Sequence, residues 1–274
     1  MIADKLLRMD RRIVFVLIAL AVGLPLVLGL QFPAGENPRT QAIYDHIESL
    51  EPRDVVIISF DYGPSSMPEL NPMAAAVARH ALSRDLRVVG MTLYPDAPIL
   101  IDKILNRVGR DLGKESGVDY VNLGYRPGYS AVILQMSSDI GKIFETDFEG
   151  RPYSGLEVTQ GLRNFDDVGL VLDLSSSDMP GLWVLYAYQD YHATIAAGVT
   201  AVMAQDYYPH LQAGQLIGML NGMKGAAEYE KLVDQPGDAM GGMAAQSFSQ
   251  FLIIGLVLLG NVCYFIARKR GTAR

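Results

Sequence analysis

The sequence contains little cysteine, little charge and no surplus of basic residues. Its single cysteine, Cys263, excludes an internal disulfide and a zinc site built from several cysteines. Acidic residues outnumber basic ones by 30 to 23, and a net charge of −7 argues against a general nucleic-acid binder, which needs a basic surface. Half of the residues are hydrophobic and 19% are charged, which excludes a disordered or fibrous chain and is apolar for a soluble protein.

Familiar enzyme signatures are missing as well. No G-x-G-x-x-G follows the first predicted strand, and the triplet at 113–115 (GKE) lacks the rest of a phosphate-binding loop. Neither a G-x-S-x-G elbow nor an H-E-x-x-H helix occurs. We therefore predict no cofactor from these motifs, with a divalent cation as the one alternative that acidic strand ends leave open.

Two long apolar segments are present, one near each end of the chain. Residues 13–30 carry no charge and nearly match a hydrocarbon layer of about 30 Å. A cleaved signal peptide is the alternative, but the run is longer than a signal core and no small-x-small cleavage site follows it. Residues 243–267 precede the basic cluster 268–270, which is typical of a stop-transfer flank, and a buried core helix is the alternative there. We predict two transmembrane helices and hence contact with the lipid bilayer.

The basic residues at the two ends predict the orientation. Four lie in the tail 1–12 and four in the tail 268–274, so both tails are expected in the cytoplasm. The intervening chain is then extracytoplasmic in a two-pass protein of the cell membrane. We divide it into a linker with a lead-in helix at 31–53 and an α/β domain at 54–242.

Strand-like and helix-like patterns alternate through this middle region. The predicted strands are 55–60, 87–93, 118–123, 168–174 and 195–204. The predicted helices are 72–85, 97–112, 129–144, 180–191 and 208–233, with a stretch at 145–162 that lacks firm secondary structure. Such alternation implies right-handed crossovers between parallel strands. The predicted fold is a doubly wound, mostly parallel five-stranded sheet, a Rossmann-like three-layer sandwich flanked by the two transmembrane helices.

Polar side chains follow the predicted strands at the edge where such sheets bind ligands. The predicted ligand-binding residues are Asp61, Tyr62, Asp96, Asn122, Asp173, Ser175, Ser177, Asp178 and Asp206. The candidate metal ligands among them are Asp61, Asp173, Asp178 and Asp206, since hard cations prefer oxygen. The alternative is that these residues cap helices, as Asp96, Asp178 and the capping-box pair Ser66 and Glu69 are placed to do.

Two further groups of residues suggest other roles. Ser65 or Ser66 with His210 would be the catalytic candidates of a serine hydrolase, because a serine nucleophile needs a base beside it. The spacing of Gly214, Gly218 and Gly222 within the predicted helix 208–233 suggests that another backbone approaches it closely. That backbone belongs either to the domain's own sheet or to an interface with another subunit.

Three stretches, 58–65 (ISFDYGPS), 197–202 (AGVTAV) and 208–230 (YPHLQAGQLIGMLNGMKGAAEYE), resemble a group of prokaryotic membrane proteins. In that group an α/β domain lies between two terminal transmembrane helices. The resemblance implies architecture and brings no catalytic residue.

The leading functional prediction is a non-catalytic, membrane-anchored extracytoplasmic domain. It would bind a partner protein or small ligand as a subunit of a larger membrane assembly. Its expected partners are other membrane proteins or a second copy of the chain, and no nucleic acid. The alternatives are a divalent-cation-dependent or serine hydrolase acting at the carboxyl edge of the sheet, and a solute-binding sensor.

Overall fold

The computed structural model describes residues 10–30, 35–235 and 237–269. Contacts divide the chain into two compact units, one formed by Ala34–Ala239 and the other by Met1–Pro33 with Met240–Arg274. The predictions for 1–9, for 31–34 and for the end of the basic tail at 270–274 lie outside the described residues.

The unit Ala34–Ala239 is built on one six-stranded sheet whose strands are all parallel, in the order β3-β2-β1-β4-β5-β6. The strands are β1 Val55–Asp61, β2 Arg87–Thr92, β3 Tyr120–Tyr125, β4 Leu170–Ser175, β5 Ile195–Val199 and β6 Met219–Asn221. Strands β1 and β4 are buried at every position, as expected where helices cover both faces of a sheet. The predicted doubly wound class is confirmed, with six strands instead of five.

Helices connect the strands and cover the sheet. In chain order they are α1 Arg11–Val27, α2 Pro38–Ser49, α3 Met67–Ser83, α4 Pro98–Leu112, α5 Ser130–Met136, α6 Ile140–Ile143, α7 Met179–Trp183, α8 Ala204–Gln212, α9 Gly222–Leu232 and α10 Asp238–Lys269. Helix α7 continues through a π-helical turn, Val184–Tyr188, into a last turn at Gln189–Tyr191.

The two faces of the sheet are covered by different helices. On one face Ile57 and Val171 belong to the same buried cluster as Ile133 of α5 and Trp183 of α7. On the other face α3 packs between α4 and α9, and α2 packs against α9. This arrangement is the three-layer sandwich that the alternating pattern predicts.

The predicted helix 208–233 is wrong. The chain instead forms the end of α8, then a turn in which Gly214 has φ +70°, then strand β6 and helix α9. The three residues 219–221 (MLN) are too few for their spacing to distinguish a strand from a helix. They become a strand because the free edge of β5 offers hydrogen-bond partners, with Ala197 beside Met219.

The stretch 145–162 forms no long helix or strand, yet it is packed into the domain. It contains two 3₁₀ turns, Tyr153–Gly155 and Glu157–Thr159, and it places Val158 in the core. The guanidinium of Arg87 donates to the carbonyl of Val158 at 3.1 Å and to that of Gln160 at 2.5 Å. A strand residue therefore holds this segment in place through the segment's own backbone.

Among the described residues, one helical stretch is long and apolar enough to cross a bilayer, Asp238–Ile266 with 29 residues. Only 6% of its most apolar part is buried inside the molecule, which disagrees with the alternative of a core helix. The N-terminal segment forms the 17-residue helix α1, which contains Pro25 near its end. Its insertion in a membrane stays a prediction.

Candidate functional site

The strand order reverses between β1 and β4, which are neighbours in the sheet. From β1 the chain proceeds outward to β2 and β3, and from β4 it proceeds the other way to β5 and β6. The connections that follow β1 and β4 therefore leave the sheet in opposite directions. This switch point is where open α/β sheets form a ligand crevice.

Four polar side chains lie side by side on the two strands at this point. The register pairs Ser59 of β1 with Asp173 of β4, and Asp61 with Ser175. Because side chains alternate along a strand, all four project from the face that also carries Ile57. The sheet folds these residues into one buried polar patch within an otherwise apolar layer, and Asp61 and Asp173 are 1% and 0% exposed.

Asp61 has hydrogen-bond donors for both of its oxygens. Oδ1 accepts from the backbone N–H of Leu93 at 2.6 Å and from Thr92 Oγ1 at 3.3 Å, and Oδ2 accepts from Ser59 Oγ at 2.6 Å. Burial raises the pKa of Asp61, and these donors act in the opposite direction by stabilising the charged form. Asp61 is therefore the acid of the patch that is built to carry a negative charge.

Asp173 has no such donors. Within the described part of the chain, no group makes a hydrogen bond of acceptable distance and angle to either of its oxygens. Its carboxyl interacts with that of Asp61, and two carboxyls can join through a hydrogen bond only when one of them carries a proton. Burial, followed by the charge of Asp61, raises the pKa of Asp173 well above its usual range. Of the two carboxyls, Asp173 is therefore the more readily protonated.

Tyr207 of α8 closes the region above these acids. Its hydroxyl donates to the carbonyl of Ser177 at 2.8 Å, which joins α8 to the loop after β4. Burial raises the pKa of Tyr207, and the charges of Asp173, Asp178 and Asp206 add to the rise. Tyr207 is 4% exposed and Asp173 is 0% exposed, so both belong to the buried layer.

The predicted ligand-binding residues fall into two groups. Asp61, Asp173, Ser175 and Ser177 meet in the polar patch, where Ser175 Oγ and Ser177 Oγ are 3.0 Å apart. The others lie outside it, and they are Tyr62, Asp96, Asn122, Asp178 and Asp206. Of these, Asp96, Asp178 and Asp206 are exposed. The hydroxyl of Tyr62 donates to Asn71 Oδ1 at 2.9 Å, and Asn122 bonds to the N–H of Gly124 and the carbonyl of Pro98.

The predicted helix caps are right in position at Ser66 and Asp178 and wrong at Asp96. Helix α4 has Ala97 as its N-cap, and neither this position nor Asp178 before α7 makes a side-chain capping bond. Ser66 makes none either. The carboxylate of Glu69 instead accepts from the N–H of Ala201 at 2.9 Å, which ties α3 to the loop after β5.

The two alternative chemistries are a divalent metal site and a serine–histidine pair. Among the described residues, no group of three or more His, Cys, Asp or Glu side chains could hold a metal ion. His210 Nδ1 bonds to Gln215 Oε1 at 2.6 Å. Among the hydrogen bonds of the described chain, none links His210 to Ser65 or Ser66. A catalytic pair of His210 with Ser65 or Ser66 stays a prediction.

The three predicted interface glycines do not share a helix face, which corrects their interpretation as a stripe. Gly214 lies in an open turn, while a side chain at Gly218 would meet the carbonyl of Arg39 and the side chain of Ile43 at 2.5 Å. A Cβ atom added at Gly222, whose φ is +56°, would lie 2.8 Å from Glu69 Oε2. The close approaches at Gly218 and Gly222 are thus made within the domain, to α2 and α3.

Two residues of this region were not predicted from the sequence, namely Ser59 and Trp183. Ser59 interrupts the apolar run of β1, which is a signal for a polar position inside the sheet. Trp183 lies on α7, over the same face, and its indole N–H has no partner among the described residues. No family model, curated protein or solved structure matches the chain, so the site is interpreted from its own geometry.

Proposed function

We propose that the chain is a membrane-anchored, extracytoplasmic domain that binds a small polar ligand in the crevice between β1 and β4. The observation that carries this proposal is the side chain of Asp173, fully buried at the switch point with both oxygens unpaired within the described chain. An unsatisfied buried polar group costs about 1–3 kcal/mol. A group that costs stability at the position where this fold binds ligands is best explained by a ligand that satisfies it.

The membrane part of the proposal rests on two features. Helix α10 contains a stretch of sufficient length and apolarity to span a bilayer, and Arg268 follows it. The apolar segment 13–30 follows basic residues in the same way. Two passes with both tails in the cytoplasm would hold the domain at the extracytoplasmic face of the cell membrane, where it could act as a subunit of a membrane assembly.

The binding proposal is tested without knowing the ligand. The full-length protein in detergent is melted with and without a small-molecule ultrafiltrate of cells that contain it. A native-state ligand raises Tm, and the rise is expected to disappear in Asp173→Asn. The exposed Asp190 on the turn after α7 supplies the matched control, Asp190→Asn, which should keep the rise. A rise of equal size in Asp173→Asn would contradict binding at this site.

A hydrolase is the second candidate. The environments of Asp61 and Asp173 raise their pKa values to different extents, as happens in enzymes where one carboxyl is the catalytic base and the other the catalytic acid. Phosphatase and esterase assays on the full-length protein, with and without Mg²⁺ or Mn²⁺, distinguish the two candidates. Activity that is lost in Asp173→Asn and kept in Asp190→Asn would favour the hydrolase. Binding of an unaltered compound would favour the proposal above.

A further inference from the structure

We infer that the crevice takes a small organic cation, a ligand with an ammonium or similar N–H-bearing positive group that donates to Asp173 beside Asp61. This inference rests on the proposed function and specifies its ligand class. It is carried by three independent features of the switch point, which are the unpaired acceptors, the charges around them and the occupied oxygens of Asp61.

The first feature is that the unpaired atoms at the switch point are hydrogen-bond acceptors. Both oxygens of Asp173 are buried and without a donor in the described chain. When ionised, the Asp173 carboxylate accepts hydrogen bonds and donates none, so its complement is a donor group that displaces the proton. Charge-assisted bonds from N–H donors to a carboxylate are about twice as strong as neutral ones, which favours a cationic donor.

The second feature is the sign of the charges around the crevice. The segments 59–71, 173–191 and 195–209, which contain the ends of β1, β4 and β5, have no Lys, Arg or His, and His192 and His210 follow the last two. Their acidic residues at the carboxyl edge of the sheet are Asp61, Glu69, Asp173, Asp178 and Asp206. The field there attracts cations and repels phosphates, which distinguishes this crevice from the dinucleotide sites that the same strand order forms elsewhere.

The third feature favours an organic cation over a divalent metal ion. Ca²⁺ or Mg²⁺ needs six or more oxygen ligands. The oxygens of Asp61 already accept from Leu93, Thr92 and Ser59. The described residues also contain no group of three metal-binding side chains. An ammonium group needs only the free oxygens of Asp173 and leaves the bonds of Asp61 in place.

Access to Asp173 requires one local movement. The hydroxyl of Tyr207 donates to the carbonyl of Ser177 in the loop after β4, and we expect this contact to open when a ligand enters. Trp183, the only tryptophan in the chain, is fully buried on α7 over the same face of the sheet. Its fluorescence is therefore a direct report on ligand entry.

The test uses four-carbon probes that differ in charge. Full-length protein in detergent is titrated with putrescine, butane-1,4-diol, succinate, MgCl₂ and CaCl₂, and Tm and Trp183 fluorescence are followed. We expect putrescine alone to give saturable changes, with a Tm rise of about 3–6 °C at ten times its Kd. Asp173→Asn should weaken putrescine about thirtyfold or more, while Asp190→Asn should not.

A second measurement needs no variant. Putrescine competes with the proton on Asp173, so its affinity for the wild-type protein should rise as the pH rises above the ordinary carboxyl range. The ionisable groups that interact with Asp173 are Asp61 and Tyr207. An affinity for putrescine that does not change with pH would overturn the inference.

The remaining outcomes separate the inference from the proposed function. An Asp173-dependent response to butanediol or succinate would overturn the cation but leave a ligand site in the crevice. A response to Mg²⁺ or Ca²⁺ without one to putrescine would replace the organic cation with a metal ion. If none of the probes acts while the ultrafiltrate does, the cation class is wrong. If the ultrafiltrate is also inactive, Asp173 holds water only and both statements are wrong.

Discussion

Asp61 and Asp173 occupy the same buried layer but differ in what surrounds them. Asp61 has donors for both oxygens, whereas Asp173 has none in the described chain. The first arrangement is that of a structural acid, since its donors would lose their partner if it were removed. The second is that of a group kept for a purpose other than stability.

We expect Asp173→Asn to stabilise the unliganded protein at neutral pH by about 1–3 kcal/mol, because the amide stays neutral where burial disfavours the charged carboxylate. The raised pKa of Asp173 means that the folded state keeps a proton that the unfolded state has lost. This contribution to stability is present at low pH and disappears as pH rises toward the folded-state pKa. The advantage of Asn should therefore grow from pH 4 upward in urea-unfolding measurements.

The matched comparison is Asp61→Ala, which should destabilise by about 1–3 kcal/mol because the N–H of Leu93 loses its acceptor. If both variants destabilise equally at pH 7, Asp173 has a structural role and the functional interpretation of its unpaired oxygens is wrong.

His80 connects three helices on the opposite face. On α3 it is 4% exposed, with Nε2 at 2.8 Å from Glu48 of α2 and Nδ1 at 2.8 Å from the hydroxyl of Tyr229 of α9. Nε2–H donates to the carboxylate, so Nδ1 accepts from the tyrosine. Burial lowers the pKa of His80, and the bond to Glu48 offsets only part of this.

We expect His80→Gln to reduce the dependence of stability on pH between 5 and 7. The unfolded chain binds a proton at the ordinary histidine pKa of about 6.5, but the folded chain does so only at lower pH. The contribution of His80 is thus present above pH 6.5 and is lost as pH falls. Urea unfolding at several pH values measures it, and the exposed His192 serves as control through His192→Asn. An unchanged slope in His80→Gln would contradict this account.

At the scale of elements, strand β6 is held by the approach of α2. The backbone at Gly218 lies against Arg39 and Ile43. Strand β6, which pairs with β5, begins at the next residue. A side chain at this position would push α2 away from the sheet edge. Gly218 is therefore a packing residue between two elements, which a helical spacing of glycines does not reveal.

We expect Gly218→Ala to destabilise the domain by about 1–3 kcal/mol, the usual cost of overpacking. Gly155→Ala is the control, because its added methyl group meets no atom within 4 Å and its φ is not positive. It should change the free energy of unfolding by less than about 0.5 kcal/mol. Chemical denaturation of both variants measures this, and equal stability would show that α2 adjusts freely.

The sequence predicted most elements because each long pattern has one period. Helix α2 at Pro38–Ser49 and helix α4 at Pro98–Leu112 lie close to their predicted positions, since their apolar spacing is helical over several turns. The failure at 208–233 has a different cause. Strand β6 has three residues, too few for a period, and it exists only because β5 lies beside it.

For the whole molecule, the two-pass arrangement makes a prediction that thiol labelling can test. Ser154 is exposed, and Ser154→Cys in a Cys263→Ser background should react with a membrane-impermeant maleimide in intact cells. Thr272→Cys, in the C-terminal tail, should react only after permeabilisation. Labelling of Thr272→Cys alone in intact cells would reverse the orientation, and labelling of neither would place the domain in the cytoplasm.

The sequence by itself determined the α/β class, the alternation of elements and an apolar C-terminal helix, because all three depend on the period and length of hydrophobic runs. It also placed Asp61 and Asp173 at strand ends. Only the tertiary structure decided that the pairing of β1 with β4 joins these two acids, and that Asp61 receives all the donors. Pairing between distant strands and the satisfaction of individual buried oxygens depend on three-dimensional register, which no local pattern encodes.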